Sequence, residues 1–323
     1  MNKNWGILAV SAVAAILATP VVHAQAFPSK PVRIVVPFPA GGSFDVVARV
    51  IAQHMRTGLG QNVIVDDRPG GGTVVGTEFV ARQPPDGYTV LLIGPSFTSH
   101  AALRPGLSFD TDRDFRAVSQ LVGVSMIIAV NPSLPAKSVK ELVALAKTHP
   151  GQVTFGTSGV GTSQHLLLEA LRLASSADIV HAPFQGANIA VTAAIGGHVS
   201  GVLVNVSDVL QFVKMGKLKA LVVSAKRREE ALPDVQTAAE SGHPELEATN
   251  WGGLVVHSAT PATIVARLNA ETVKALNNPE VRALLKKQEF VATPSTPDEF
   301  AALIKSDGER YRRIIREANV RLE

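Results

Sequence analysis

Two stretches of this sequence set bare glycines and small hydroxyl residues where a helix begins, and backbone amides in that arrangement can hold an anion. The first is Pro37-Phe38-Pro39-Ala40-Gly41-Gly42-Ser43-Phe44-Asp45, and the second is Gly156-Thr157-Ser158-Gly159-Val160-Gly161-Thr162-Ser163. The opening N–H groups of a helix lack intrahelical partners, and the helix dipole points its positive end at them. Ser43 is placed to supply an N-cap oxygen, and Asp45 in the first turn would be stabilised by the same dipole. An ordinary capped βα turn without ligand fits the first stretch equally well, because a helix start is only a potential anion site.

Other chemistries fail on single residues. A dinucleotide fingerprint on Gly159 and Gly161 needs glycine or alanine where Gln164 stands, and neither loop ends in the Gly-Lys-Ser/Thr of a P-loop. A nucleophile elbow around Ser158 needs glycine where Val160 stands. His165, His181 and His198 lie about sixteen residues apart with no thiolate near them, so no metal site and no cofactor is expected. His165 and Glu169, one helical turn apart, read as a structural pair. Asp66, Asp67 and Arg68 read as a turn closed by local bonds and a salt bridge. What remains is the pair of amide-rich loops. A micromolar complex needs about −8 kcal/mol, one hydrogen bond to a charged group gives ~1.5–3, and association costs at least ~4. One loop falls short; two loops closing on one molecule can reach it.

The surrounding elements put the loops in place. Val32–Val36 is a short β-branched run, read as a buried strand, and Val47, Val50, Ile51 and Met55 follow at the spacing of one helical face. Strands at 63–65 and 89–93, with a helix carrying Val74, Val75, Phe79 and Val80 between them, complete a β-α-β-α-β pattern, which predicts a parallel sheet with its ligand crevice beyond the strands' carboxyl ends. After the apolar run Leu121–Val130 the pattern starts again: a helix at 138–147, strands at 153–155, 179–184, 199–206 and 218–223, and helices between. A strand at 251–257 and a helical tail follow, the tail marked by Thr260-Pro261, Asn278-Pro279 and the capping box Thr296-Pro297-Asp298-Glu299. The expectation is an α/β protein of two lobes joined by two hinge-crossing strands: 27–122 with 224–323 in lobe one, and 123–223 in lobe two, with the ligand in the cleft between.

Residues 1–26 belong to neither lobe. Lys3, an apolar run of about 14 residues, too short for the ~20 of a membrane span, and alanines at 24 and 26 read as a secretory signal cleaved after Ala24 or Ala26. With no cysteine there are no disulfides and no acylated anchor. A free, soluble periplasmic protein is expected. The formal charge of +4 falls to +3 without Lys3, too little and too scattered for a nucleic-acid partner.

The segments PSKPVRIVVPFPAGGSFDVVAR, DDRPGGGTVVG, PPDGYTVLL, FGTSGVGTSQHL, GKLKALVVSA and LPDVQTAAESG together resemble the periplasmic solute receptors of tripartite tricarboxylate transporters, the Bug family, over nearly the whole mature chain. The resemblance implies a two-lobed flytrap that grips a carboxylate with amides, hydroxyls and bridging waters in place of arginine. It assigns Ala40, Gly41, Gly42 and Asp45 to one half of the site and Thr157, Ser158, Gly161 and Thr162 to the other, with Ser96 and Gly186 on the walls. Phe38, Phe184, Gln185 and Asn205 complete the expected ligand-binding set. Two of these depart from the family pattern: Phe184-Gln185-Gly186 stands where many members have Tyr-Lys-Gly, and Asn205 where an aspartate often ends the strand. Amino-acid ligands are therefore not expected; a simple organic acid is, with an apolar or aromatic body facing Phe184. The implied protein is a monomeric receptor that does no chemistry and delivers its acid to separate integral membrane transporter subunits. A sensor that signals to a kinase would use the same binding, and an exported hydrolase using His165 with Ser158 is the rival of another class.

Overall fold

The computed structural model describes residues 27–322, so the expected signal lies outside the described residues. The chain opens with β1 (Val32–Val36), α1 (Ser43–Leu59), β2 (Val63–Asp67), α2 (Val74–Ala81), β3 (Thr89–Ile93) and α3 (Ser96–Leu103). A 16-residue strand, β4 (Phe115–Val130), leads to α4 (Val139–Thr148), β5 (Val153–Thr157), α5 (Ser163–Ser175), β6 (Ile179–Pro183), α6 (Ala187–Ile195), β7 (Gly201–Asn205), α7 (Val206–Lys214) and β8 (Lys219–Val223). The remainder is β9 (Thr249–His257), α8 (Ala262–Leu276), α9 (Pro279–Lys287), β10 (Val291–Ala292) and α10 (Pro297–Glu317).

The strands run in the order β2-β1-β3-β9-β4-β7-β5-β6, with β8 and β10 both added to β4. β1 is parallel to β2 and β3, and β5 is parallel to β6 and β7, as the repeated strand–helix alternation requires. β4 joins the two halves. It pairs with β9 as far as Ser125 and with β7 and β8 from Met126 onward, so the chain changes lobe between those two residues.

The two passages between lobes are tied together by Ser224. Its hydroxyl accepts the N–H of Met126 at 2.8 Å and donates to the carbonyl of Ala248 at 2.6 Å. The stretch 224–248 itself packs on lobe two, although the sequence suggests lobe one. Ala238 and Leu246 are buried with Met126, Leu203 and Val222, and Val223 pairs with Thr237. The return passage thus sits near 248–249. No periodic apolar run marks this excursion, and its place is set by a few isolated anchors.

Each lobe buries apolar clusters on both faces of its strands. In lobe one, Ile34, Val47, Ile51, Met55 and Leu268 hold α1, α8 and α9 to one face, and Leu91, Trp251 and Phe300 hold α10 to the other. In lobe two, Phe155, Leu168 and Leu171 lie on one face and Val191, Val202 and Val209 on the other. Fully burying such a side chain contributes about 1.5–3 kcal/mol. A further cluster, Leu166, Ala170, Tyr311 and Ile314, joins α5 of lobe two to α10 of lobe one. Among the described residues, no helix is long and apolar enough to cross a membrane.

Candidate functional site

Pro37 and Pro39 stop β1, and the chain turns through Gly41 (φ 76°) before α1 begins. Gly42 is the N-cap, and no side chain caps the helix; Ser43, expected to do so, is instead its first helical residue. Val46 makes the first intrahelical bond, to the Gly42 carbonyl, which leaves the Ser43 and Phe44 N–H groups without helical partners. Asp45 turns back, away from the opening. It is buried, accepts the Gly41 N–H at 2.7 Å and pairs with Arg49 at 2.7 Å, which also holds Asp67 at 2.7 Å. Burial would raise the Asp45 carboxyl, but Gly41 and Arg49 outweigh it and hold it below the ordinary carboxylate range. Burial and the charge of Asp45 push Asp67 up. Asp45 thus shapes the loop from behind.

The second loop is pinned from behind as well. Gly159 (φ 136°) and Gly161 (φ 75°) take backbone conformations open to glycine, and Thr162 caps α5 by accepting the His165 N–H at 3.3 Å. His165 Nδ1 accepts the Gly161 N–H at 3.0 Å, so its proton sits on Nε2, 3.3 Å from Glu169 Oε1; Arg172 in turn donates to Glu169 at 2.7 Å. Burial alone would raise Glu169, but His165 and Arg172 together keep it lowered. His181 stacks on His165 with centroids 3.8 Å apart and lies 2.7 Å from Thr157 Oγ1. Burial, then His165, push His181 down to about 3. Both nitrogens of His165 are therefore committed to structure. Ser158 donates its hydroxyl to Gln164, so the Ser158–His165 pair of a hydrolase is not built.

The two loops open on one cavity of about 320 Å³. Five helix starts reach it: Gly42 and Ser43 of α1, Pro95 and Ser96 of α3, Thr162 and Ser163 of α5, Gly186 before α6 and Asn205 before α7. Among the described residues, no charged side chain lines it. Three buried amides cross its polar side: Gln164 Nε2 and Asn250 Nδ2 both donate to Asn205 Oδ1, at 3.2 and 3.0 Å. The Asn205 carbonyl thus accepts both donors, and among the described residues its Nδ2 group makes no hydrogen bond. Asp208 accepts the Asn205 N–H at 3.0 Å, and burial pushes its carboxyl up to about 6.

Of the residues expected from sequence, Phe38, Gly42, Ser96, Ser158, Thr162, Gln185, Gly186 and Asn205 line this cavity. Ala40, Gly41, Asp45, Thr157 and Gly161 form the loops without reaching its surface. Phe184 does not line it either; its ring covers Gly156, where a Cβ would come within 3.1 Å of it. The aromatic wall comes instead from Phe38, Phe44 and Phe290. Sequence reading missed Phe290 and Asn250, which arrive from the far end of the chain, and Gln164, which stood only as a failed dinucleotide position. A larger groove, about 610 Å³, lies between α5, residues 244–246 and α10, with arginines and glutamates of both signs. Among the described residues, the only helix start in its lining is that of the three-residue 3-10 turn Pro244–Leu246.

The lobes also touch beside the cavity. Ser99 Oγ donates to the Gly161 carbonyl at 2.6 Å and His100 Nε2 to that of Val160 at 3.1 Å, so α3 of lobe one clasps the second-lobe loop. The fit is close: a Cβ on Gly161 would lie 2.6 Å from Leu103 Cδ1 and 2.9 Å from the His100 ring.

A family model described as the tripartite tricarboxylate transporter family receptor matches residues 47–320. The chain is 33% identical over 329 residues to Protein BugT of Bordetella pertussis, covering 100% of this chain and 99% of that one. Its fold is similar to that of Rpa4515 with adipate from R. palustris (TM-score 0.81, 26% identity, 91% of this chain and 99% of that one). It is also similar to MatC from Rhodopseudomonas palustris with bound malate (TM-score 0.78, 29% identity, 90% of this chain and 100% of that one). With two α/β lobes around a cavity lined by helix starts, this chain belongs to the tripartite tricarboxylate transporter receptor family, the Bug proteins, which are periplasmic solute-binding receptors and not enzymes.

Proposed function

We propose that this protein binds a small organic carboxylate between its lobes, outside the cytoplasm, and delivers it to the integral membrane subunits of a tripartite transporter. One observation carries the reading: the helix starts of α1 and α5, one from each lobe, open on the same cavity, and the side chains that line it are uncharged. Free amides at positive dipole ends attract an anion. No carboxylate stands in the lining to pair with an ammonium group, so acids without an amino group are favoured over amino acids. The adipate and malate bound by the two similar receptors are acids of this kind.

The test is thermal unfolding of the mature protein against mono-, di- and tricarboxylates, with aspartate and glutamate alongside. A ligand held only by the folded state adds ~2.7 kcal/mol at about a hundred times its Kd, a shift of several degrees. The reading is overturned if no acid shifts the transition, or if amino acids bind more tightly than all the rest. Deleting the gene and measuring uptake of the best ligand tests the delivery step.

A further inference from the structure

Both sides of the cavity carry polar groups, Ser43, Ser96 and Asn250 on the lobe-one side among them, but only the lobe-one side carries aromatic rings. On the lobe-one side stand Phe38, Phe44 and Phe290, with ring centroids 4.8 Å apart for the first pair and 6.2 Å for the second. On the lobe-two side stand Ser158, Thr162 and the amides of Gln164 and Asn205. The phenyl wall is packed from behind. A Cβ at Gly252 would come within 2.7 Å of the Phe44 ring and one at Gly94 within 3.2 Å, so the ring packs against bare backbone. Phe290 is 3% exposed and backs the Phe44 ring.

From this division we infer that the ligand is an acid with a planar aromatic body. Its carboxylate lies among the helix starts and the lobe-two amides, and its ring packs against the phenyl wall of lobe one. The inference rests on the carboxylate reading above. Size agrees: a cavity of about 150 Å³ accepts benzene, so about 320 Å³ holds a ring together with its carboxylate. Preformed ring-on-ring packing favours an aromatic body over a flexible chain, which loses rotational freedom on binding.

Isothermal titration with three probes of stated chemistry decides it: benzoate, cyclohexanecarboxylate and adipate. Benzoate is expected to bind at least about tenfold more tightly than adipate and severalfold more tightly than cyclohexanecarboxylate. In Phe44→Thr the advantage over adipate should fall to within about threefold, while Phe44→Leu, which keeps apolar volume, retains affinity for cyclohexanecarboxylate. Unfolding temperatures of the ligand-free variants control for folding. Adipate binding as tightly as benzoate, or a benzoate-to-adipate ratio unchanged in Phe44→Thr, overturns the aromatic assignment and leaves the carboxylate reading standing. Binding of none of the three acids, with none found in the wider panel, overturns both.

Discussion

Ser99→Ala removes one atom and separates holding from capture. The Ser99 hydroxyl is fully buried and donates 2.6 Å across the lobes to the carbonyl of Gly161, inside the second-lobe loop. When the lobes part, both groups return to water and lose nothing. When they close in the variant, the carbonyl faces a methyl group, and a buried acceptor left without its donor costs about 1–3 kcal/mol. The penalty falls on the closed form alone, so the closing equilibrium should weaken by about 5- to 150-fold. If the lobes close over a ligand that has already entered, the loss should appear in dissociation. Stopped-flow measurement with the tightest acid of the panel should show koff raised by that factor and kon changed by less than about twofold. An unchanged koff would show that this contact is no part of the ligand-holding form, and a change confined to kon would show that Ser99 acts during encounter instead.

Gly161→Ala adds the Cβ that would meet Leu103 and His100, at a residue whose φ of 75° already disfavours a side chain; affinity by calorimetry should fall more than about tenfold, with lobe two still folded by circular dichroism. The pH dependence of Asp208 has a definite sign. Its folded pKa is raised from 3.8 to about 6, so its contribution to stability is complete below pH 3.8 and is lost as pH rises towards 6. Asp208→Asn keeps an acceptor for the Asn205 N–H and stays neutral, so its melting temperature should exceed that of the wild type above pH 6 and not fall between pH 4 and 6. For His181 the sign is opposite. Its folded pKa is lowered from 6.5 to about 3, so stability is complete above pH 6.5 and is lost as pH falls towards 3. Melting curves of His181→Gln across that window should be flatter than those of the wild type.

The architecture was legible where local pattern and burial agree. Val32–Val36 and Thr89–Ile93 are short runs dominated by aliphatic residues, the first broken only by the exposed Arg33, and became strands with those bounds. Thr296 and Glu299 form the capping box their spacing announces. β4 was legible only from Leu121, because Arg116, Ser119 and Gln120 interrupt the apolar run, and their place in the strand comes from pairing with β9. In the site, the loops were legible because glycine and hydroxyl residues mark them locally. Their supports were not. Ser99 and His100 sit on an eight-residue helix with no motif, and their partners lie about sixty residues on in another lobe. Asn250 precedes a buried tryptophan in a strand, and only the fold sets it against Asn205. Asp45 shows the limit from the other side: its residue type and position invite a role at the ligand, yet its carboxylate faces Gly41 and Arg49.

On the proposed function, an anion cradle without a counter-charge makes holding depend on closure. A helix start carries roughly half a charge spread over its free N–H groups, and in an open cleft water screens most of it. When the lobes shut and water leaves, the effective dielectric falls and the same dipoles act several times more strongly. A guanidinium at the cavity wall would grip a carboxylate in the open form too, by about 1.5–3 kcal/mol per charged bond, and would slow release from it. With amides of Asn205, Gln164 and Asn250 on the wall in its place, opening the lobes readmits water and weakens the helix starts of both lobes together. Because the Asn250–Asn205 bond, like those of Ser99 and His100, spans the lobes, any partner that pries the lobes apart breaks the cradle in the same movement that exposes the ligand.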